Sequence, residues 1–158
     1  GVTVIDANTL RVRTTIGLSY SDQIPAPGPF GVSVNALTNR VYVATESGKM
    51  VVIDGASDTI IAALSPPVSL GLGSVAANPA TNHVFVSSAS GNTLFVYDAD
   101  EGRWLNTLSV GTGLDRGIAV NPLSYHVLVS NPAEDTVSLI RDYGAYQPFR
   151  IWLPIARR

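Results

Sequence analysis

Four aspartates, Asp6, Asp54, Asp98 and Asp142, follow one another at intervals of 48, 44 and 44 residues, and two histidines, His83 and His126, stand 43 apart. A ring of carboxylates or a pair of imidazoles is raw material for a metal centre or for acid and base chemistry, provided three or four groups converge. The sequence offers no third histidine and no cysteine. Thiolate ligands, thiol catalysis and disulfides are thereby excluded. Each aspartate closes an apolar run and opens a turn, Asp54-Gly55 most plainly, so its expected role is to bond its own backbone two residues on. Asn35, Asn78 and Asn121, two of them followed by proline, read the same way. Ser87, Ser88 and Ser130 have no base at triad or elbow spacing. Gly111-Thr-Gly-Leu-Asp-Arg-Gly117 has the glycines of a phosphate loop, but no helix follows to supply the anion-binding N–H groups. No catalytic residue, metal or cofactor is expected.

The regular spacing carries more than the residues it spaces. Gly31-Val-Ser-Val-Asn35, Ser74-Val-Ala-Ala-Asn78 and Gly117-Ile-Ala-Val-Asn121 recur every 43 residues. Behind each comes a short turn and a second apolar run: Arg40-Val-Tyr-Val-Ala-Thr45, His83-Val-Phe-Val-Ser-Ser88 and His126-Val-Leu-Val-Ser-Asn131. A third run ends on each aspartate, and Gly1-Val-Thr-Val-Ile-Asp6 is an earlier copy of it. Apolar residues alternate within each run, and Gly, Pro, Asn and Asp fill the gaps, which is strand patterning bounded by turns. A fourth strand per unit is expected from segments such as residues 59–64 and 103–110. Four strands every ~43 residues match a propeller blade.

The run Val32-Ser-Val-Asn-Ala-Leu-Thr-Asn-Arg-Val-Tyr-Val-Ala-Thr45 resembles the YVTN-type β-propeller repeat of bacterial and archaeal surface-layer-like proteins. Gly91-Asn-Thr-Leu-Phe-Val-Tyr-Asp98 is similar to the strand that follows in that repeat, and residues 111–122 to its Gly-rich link, with Leu114-Asp115-Arg116 departing from the usual Gly-Pro-His. The expected fold is therefore all-β, a β-propeller of four-stranded antiparallel blades spanning residues 1–158. A half blade takes residues 1–18, and full blades take about 30–65, 73–110 and 116–158. In the last, residues 147–153 stand where a fourth strand belongs. Three and a half blades do not close a ring, which takes about four to eight; a full ring of about seven is expected. A half ring exposes apolar flanks, and these are normally covered by a partner. The partners expected are thus other blades, from a longer chain or another polypeptide. The phase disfavours a pair of identical chains, because the first half blade lacks its inner hairpin and a second copy ends on an outer strand.

Composition agrees. The 158 residues carry a formal charge of −2 and a single lysine, Lys49, against the basic footprint of nucleic-acid binding. Residues 59–97 hold no Asp, Glu, Lys or Arg, yet prolines, asparagines and glycines interrupt them and no membrane span of ~18 apolar residues forms. The start at Gly1, without Met or a secretory leader, reads as a processed or internal one. Function is expected on the loops of one face, since loops on a rigid scaffold carry it. The longest, residues 19–30, presents Tyr20, Asp22 and Phe30, and another presents Asp115 and Arg116; these five are the candidate ligand-binding residues. The expected function is a non-catalytic propeller module that binds or scaffolds a protein or small-molecule ligand. The resemblance implies a periplasmic or extracellular setting. The alternative it leaves open is the propeller of an enzyme, lactonase-like or quinone-dependent dehydrogenase-like.

Overall fold

A computed structural model describes residues 1–18, 28–111 and 117–143 and the backbone of residues 150–152. It is all-β and antiparallel. The first sheet pairs β1 (Val2–Asp6) with β2 (Arg11–Ile16). The second runs β3 (Pro29–Asn35), β4 (Arg40–Thr45), β5 (Met50–Asp54), β6 (Thr59–Leu64), each strand beside the next in sequence. The third repeats this order with β7 (Leu72–Asn78), β8 (His83–Ser88), β9 (Thr93–Asp98) and β10 (Arg103–Ser109). The fourth does so with β11 (Ile118–Asn121), β12 (His126–Asn131), β13 (Thr136–Arg141) and β14 (Arg150–Trp152). A fourth strand does form within residues 147–153. The architecture is the partial β-propeller that the repeat predicts.

Sheets stack face to face in chain order. Val43, Val51 and Ile53 of the second pack on Ile16 and Val4 of the first. Tyr42, Met50 and Val52 pack on Val75, Val86 and Phe95 of the third. On the third sheet's other face Phe85, Leu94 and Val96 meet Val127, Val129 and Ile140 of the fourth. β8 is buried at every position as a result, and that is why its apolar run has no solvent face. In each of the first three sheets the outer strand pair slips by one residue, at Val4/Ile5, Val52/Ile53 and Trp104/Asn106. Such bulges sharpen the right-handed twist of a strand pair.

The innermost strands nearly touch. A Cβ placed on Gly31 of β3 would lie 2.8 Å from the Gly73 carbonyl oxygen and 3.0 Å from the Val75 nitrogen of β7, so only glycine admits that approach. Ser33 Oγ accepts a hydrogen bond from the Ala77 N–H across the same gap, at 3.0 Å.

Turn ends recur in phase as well. Asn39, Asn82 and Tyr125 close the first turn of the three full units with positive φ, 52°, 54° and 57°. Asparagine tolerates this left-handed conformation, and an aromatic residue is strained in it. Tyr125 is partly exposed, so Tyr125→Asn is expected to stabilise the fold by about 1 kcal/mol. Urea unfolding of the two proteins measures it, and an unchanged or lower midpoint for Tyr125→Asn contradicts it.

Candidate functional site

The turn reading holds for Asp6, Asp54 and Asp98; the turn that would follow Asp142 lies outside the described residues. Asp6 Oδ1 accepts the N–H groups of Asn8 and Thr9, Asp54 Oδ1 those of Ala56 and Ser57, and Asp98 Oδ1 those of Asp100 and Glu101, at 2.7–3.0 Å. Hydrogen bonds to the ionised form lower a carboxyl pKa. Asp6 is held below the usual range, chiefly by Thr9. Asp54 is lowered to about 2, first by the Ser57 N–H and then by the Arg40 guanidinium paired with it. Asn35 Oδ1 likewise accepts from Leu37 N, Asn78 Oδ1 from Ala80 N and Asn121 Oδ1 from Leu123 N.

Asp142 is different. It is fully buried and belongs to a cluster that joins the third sheet to the fourth. Its Oδ1 lies 2.7 Å from His83 Nδ1, while its Oδ2 accepts from Asn78 Nδ2 at 2.7 Å and from Thr81 Oγ1 at 2.5 Å. Burial alone raises its pKa, and the bonds from His83, Thr81 and Asn78 override that and leave it lowered. Burial alone lowers that of His83; its bond to Asp142 and the nearby Asp98, 3.9 Å from Nε2, leave it raised. At 1% and 0% side-chain exposure the pair meets no substrate. It is a bolt between sheets.

Asn78 therefore does two jobs, its oxygen capping its own turn and its amide reaching the next sheet. Asn35 does the same, donating to Asn82 Oδ1 at 2.8 Å. The equivalent Asn121, on the last sheet, is exposed.

On the face where ligand loops are expected, the described turns are tied down by backbone. Glu46 N–H bonds the Gly28 carbonyl, Ala89 N–H the Gly71 carbonyl and Ser130 N–H the Gly117 carbonyl, at 2.7–3.0 Å. Gly48, at φ +79°, lets one turn approach within 2.7 Å of the Leu70 oxygen where a Cβ would sit. Candidate hydroxyls are engaged: Ser87 Oγ accepts from Ser74 N and Ser88 Oγ donates to the Gly91 carbonyl. Tyr20, Asp22, Asp115 and Arg116 lie outside the described residues. Phe30 belongs to strand β3 rather than to a loop; it is exposed and lines a groove between the first and second sheets.

A cleft of about 330 Å³ opens between the second and third sheets, near the opposite, turn-bearing face. Thr38, Arg40, Tyr42, Asn82 and Tyr97 contribute its polar groups over an apolar floor that includes Val52 and Ala62. Burial raises the pKa of both phenols, with Asp98 adding to the effect on Tyr97, so they stay neutral donors and acceptors around pH 7. Arg40 is neutralised by Asp54. The cleft can hydrogen-bond a neutral polar molecule and supplies no nucleophile beside a base. No single stretch of sequence announces it, because its two walls come from different sheets. Among the described residues no three of His, Asp and Glu group as a metal site.

No protein-family match is found, and no curated protein matches the chain. Solved structures do match. Hydrazine synthase of Kuenenia stuttgartiensis superposes with a TM-score of 0.66 at 15% identity, over 78% of this chain and 36% of that one. A chain of a nidogen/laminin complex gives 0.63 at 14%, over 84% and 50%. Both contain β-propellers, and this chain spans half or less of each. They are two of 420 matching chains, and at such identities the likeness establishes the fold alone.

Proposed function

We propose that this chain is a non-catalytic binding or scaffolding segment of a larger YVTN-type β-propeller in a periplasmic or extracellular setting. One observation carries the reading. Among the described residues, most of the groups that resembled chemistry in the sequence are committed to structure: Asp6, Asp54 and Asp98 cap turns, Asp142 and His83 are buried against each other, and the hydroxyls of Ser87 and Ser88 hold backbone. The cleft around Tyr42 and Tyr97 offers neutral hydrogen bonds, which suit recognition. Low charge supports an uncharged ligand over a nucleic acid.

The competing reading is the propeller of an enzyme, and turnover separates the two. Purified protein is incubated with a panel of lactones and of oxidisable amines, with and without added divalent cations. Rates at the buffer background are expected throughout. Turnover above background that saturates with substrate and tracks the protein through purification overturns the non-catalytic reading.

A further inference from the structure

Val32 and Val34 of β3 hold the same repeat positions as Val75 and Ala77 of β7, three residues and one residue before the turn asparagine. Their surroundings differ sharply. Val75 and Ala77 are each 7% exposed, being part of the core that Tyr42 and Ala44 of the preceding sheet's β4 complete. Val32 and Val34 are 60% and 55% exposed, and Phe30 beside them 53%. The sheet before them is β1–β2, which among the described residues has no counterpart of β3 and β4. The bare face is thus the place where, one unit further on, an inner hairpin sits.

A second observation points the same way. β5 and β9, the counterparts of β1, are paired along both edges, whereas among the described residues β1 pairs with β2 alone. Its other edge meets no described strand, and a row of N–H and C=O groups along such an edge is a template for another one. Between that edge and the bare face lies a groove of about 240 Å³ lined by Val2, Thr3, Phe30, Val32 and Val43. Val2 and Val43 also belong to the core between the first two sheets, so the groove continues an interface already formed.

We propose that this groove seats a β-hairpin of the chain's own repeat type. Its second strand pairs antiparallel with β1, and its first lies over Phe30, Val32 and Val34. The repeat specifies its chemistry. A large aromatic at the position of Tyr42 fills the groove. A small hydroxyl at the position of Ser33 accepts from the Val34 N–H as Ser33 accepts from Ala77, and an asparagine opens the turn as Asn35 does. The described hairpins of a second copy are not available to it, because β4, β8 and β12 are each already paired with β5, β9 and β13. The occupant proposed is therefore a hairpin of this repeat type other than the described ones. This deepens the scaffold reading by naming the face through which the propeller grows, and it fails separately from it, since turnover leaves the groove untouched and an unfilled groove leaves the loop face untouched.

The test uses the chain with a fluorescent synthetic peptide of its own Pro29–Thr45 sequence, followed by anisotropy and by hydrogen exchange of Val2–Asp6. In parallel, residues 29–48 are fused ahead of Gly1, so that the hairpin arrives on a link of natural length, with Gly1 at the position of Lys49, and need not fold alone. Saturable binding, or in the fusion a raised Tm, is expected together with slowed exchange along β1. Val32→Asp with Val34→Asp, at sites exposed in the chain alone, is expected to leave its Tm nearly unchanged and to weaken peptide binding at least about tenfold, because a carboxylate is then buried unpaired. Three results overturn the proposal: β1 unprotected in both formats; protection that the double substitution does not diminish; or protection of β1 that appears in the chain alone, rises with its concentration and assigns the face to a second copy.

Discussion

Asp142→Ala is expected to lower folding stability by about 3–5 kcal/mol, because it removes one partner of a buried pair and strands the rest. Asn78 Nδ2, Thr81 Oγ1 and His83 Nδ1 all converge on this carboxylate, and a buried polar group that loses its partner costs about 1–3 kcal/mol. Asp142→Asn keeps the shape and one acceptor and should cost less. Urea unfolding followed by the fluorescence of the two tryptophans, Trp104 and Trp152, reads both. A loss under about 1 kcal/mol for Asp142→Ala removes the bolt from any account of how the sheets are joined.

The same pair sets a pH window. His83 has a folded pKa raised above its ordinary 6.5, so its contribution is whole below that value and is lost as pH rises through the folded one. Asp142 has a folded pKa lowered below its ordinary 3.8, so its contribution is present above that value and is lost as pH falls through the folded one. The two overlap from about pH 4 to about pH 6.5. Stability should peak there and fall on the alkaline side, and in Asp142→Asn the alkaline fall should shrink, since His83 no longer gains from a neighbouring charge. An unaltered alkaline limb in that variant shows that another group causes it.

Repeat phase, strand order and the caps formed by Asp6, Asp54 and Asp98 were legible in the sequence because each depends on residues within one unit. Asp142 was not. In the third sheet His83 faces Asp98, but in the fourth His126 faces Arg141, a register one residue out of step. The last aspartate therefore falls beyond its strand, into a pocket made by the sheet before it. The cleft lined by Tyr42 and Tyr97 was hidden for a related reason, since only the stacking of two sheets brings its walls together. Phe30 read as a loop aromatic because Pro29 precedes it. Proline is tolerated at the first residue of a strand, and β3 begins there.

Two phenylalanines of equal size separate burial from composition. Phe95 is fully buried in the core between the second and third sheets, its ring edge-on to Trp104 at 6.0 Å, and Trp104 in turn meets Tyr97 at 5.2 Å. Phe95→Ala removes that area from the core and leaves a cavity between two sheets that backbone pairing holds in place, so little collapse can relieve it. A loss of about 3–5 kcal/mol is expected, with a changed tryptophan emission spectrum that persists when Trp152 is replaced by Phe. Phe30→Ala, at a site 53% exposed, is expected to move stability by no more than about 0.5 kcal/mol. Paired denaturant titrations decide between this picture and its reverse. A Phe30→Ala loss matching that of Phe95→Ala places Phe30 in a finished core, and the face around Val32 and Val34 is then already covered. A small loss for Phe30 beside a large one for Phe95 is what a stack of blades gives when its interior is complete and its first flank is bare.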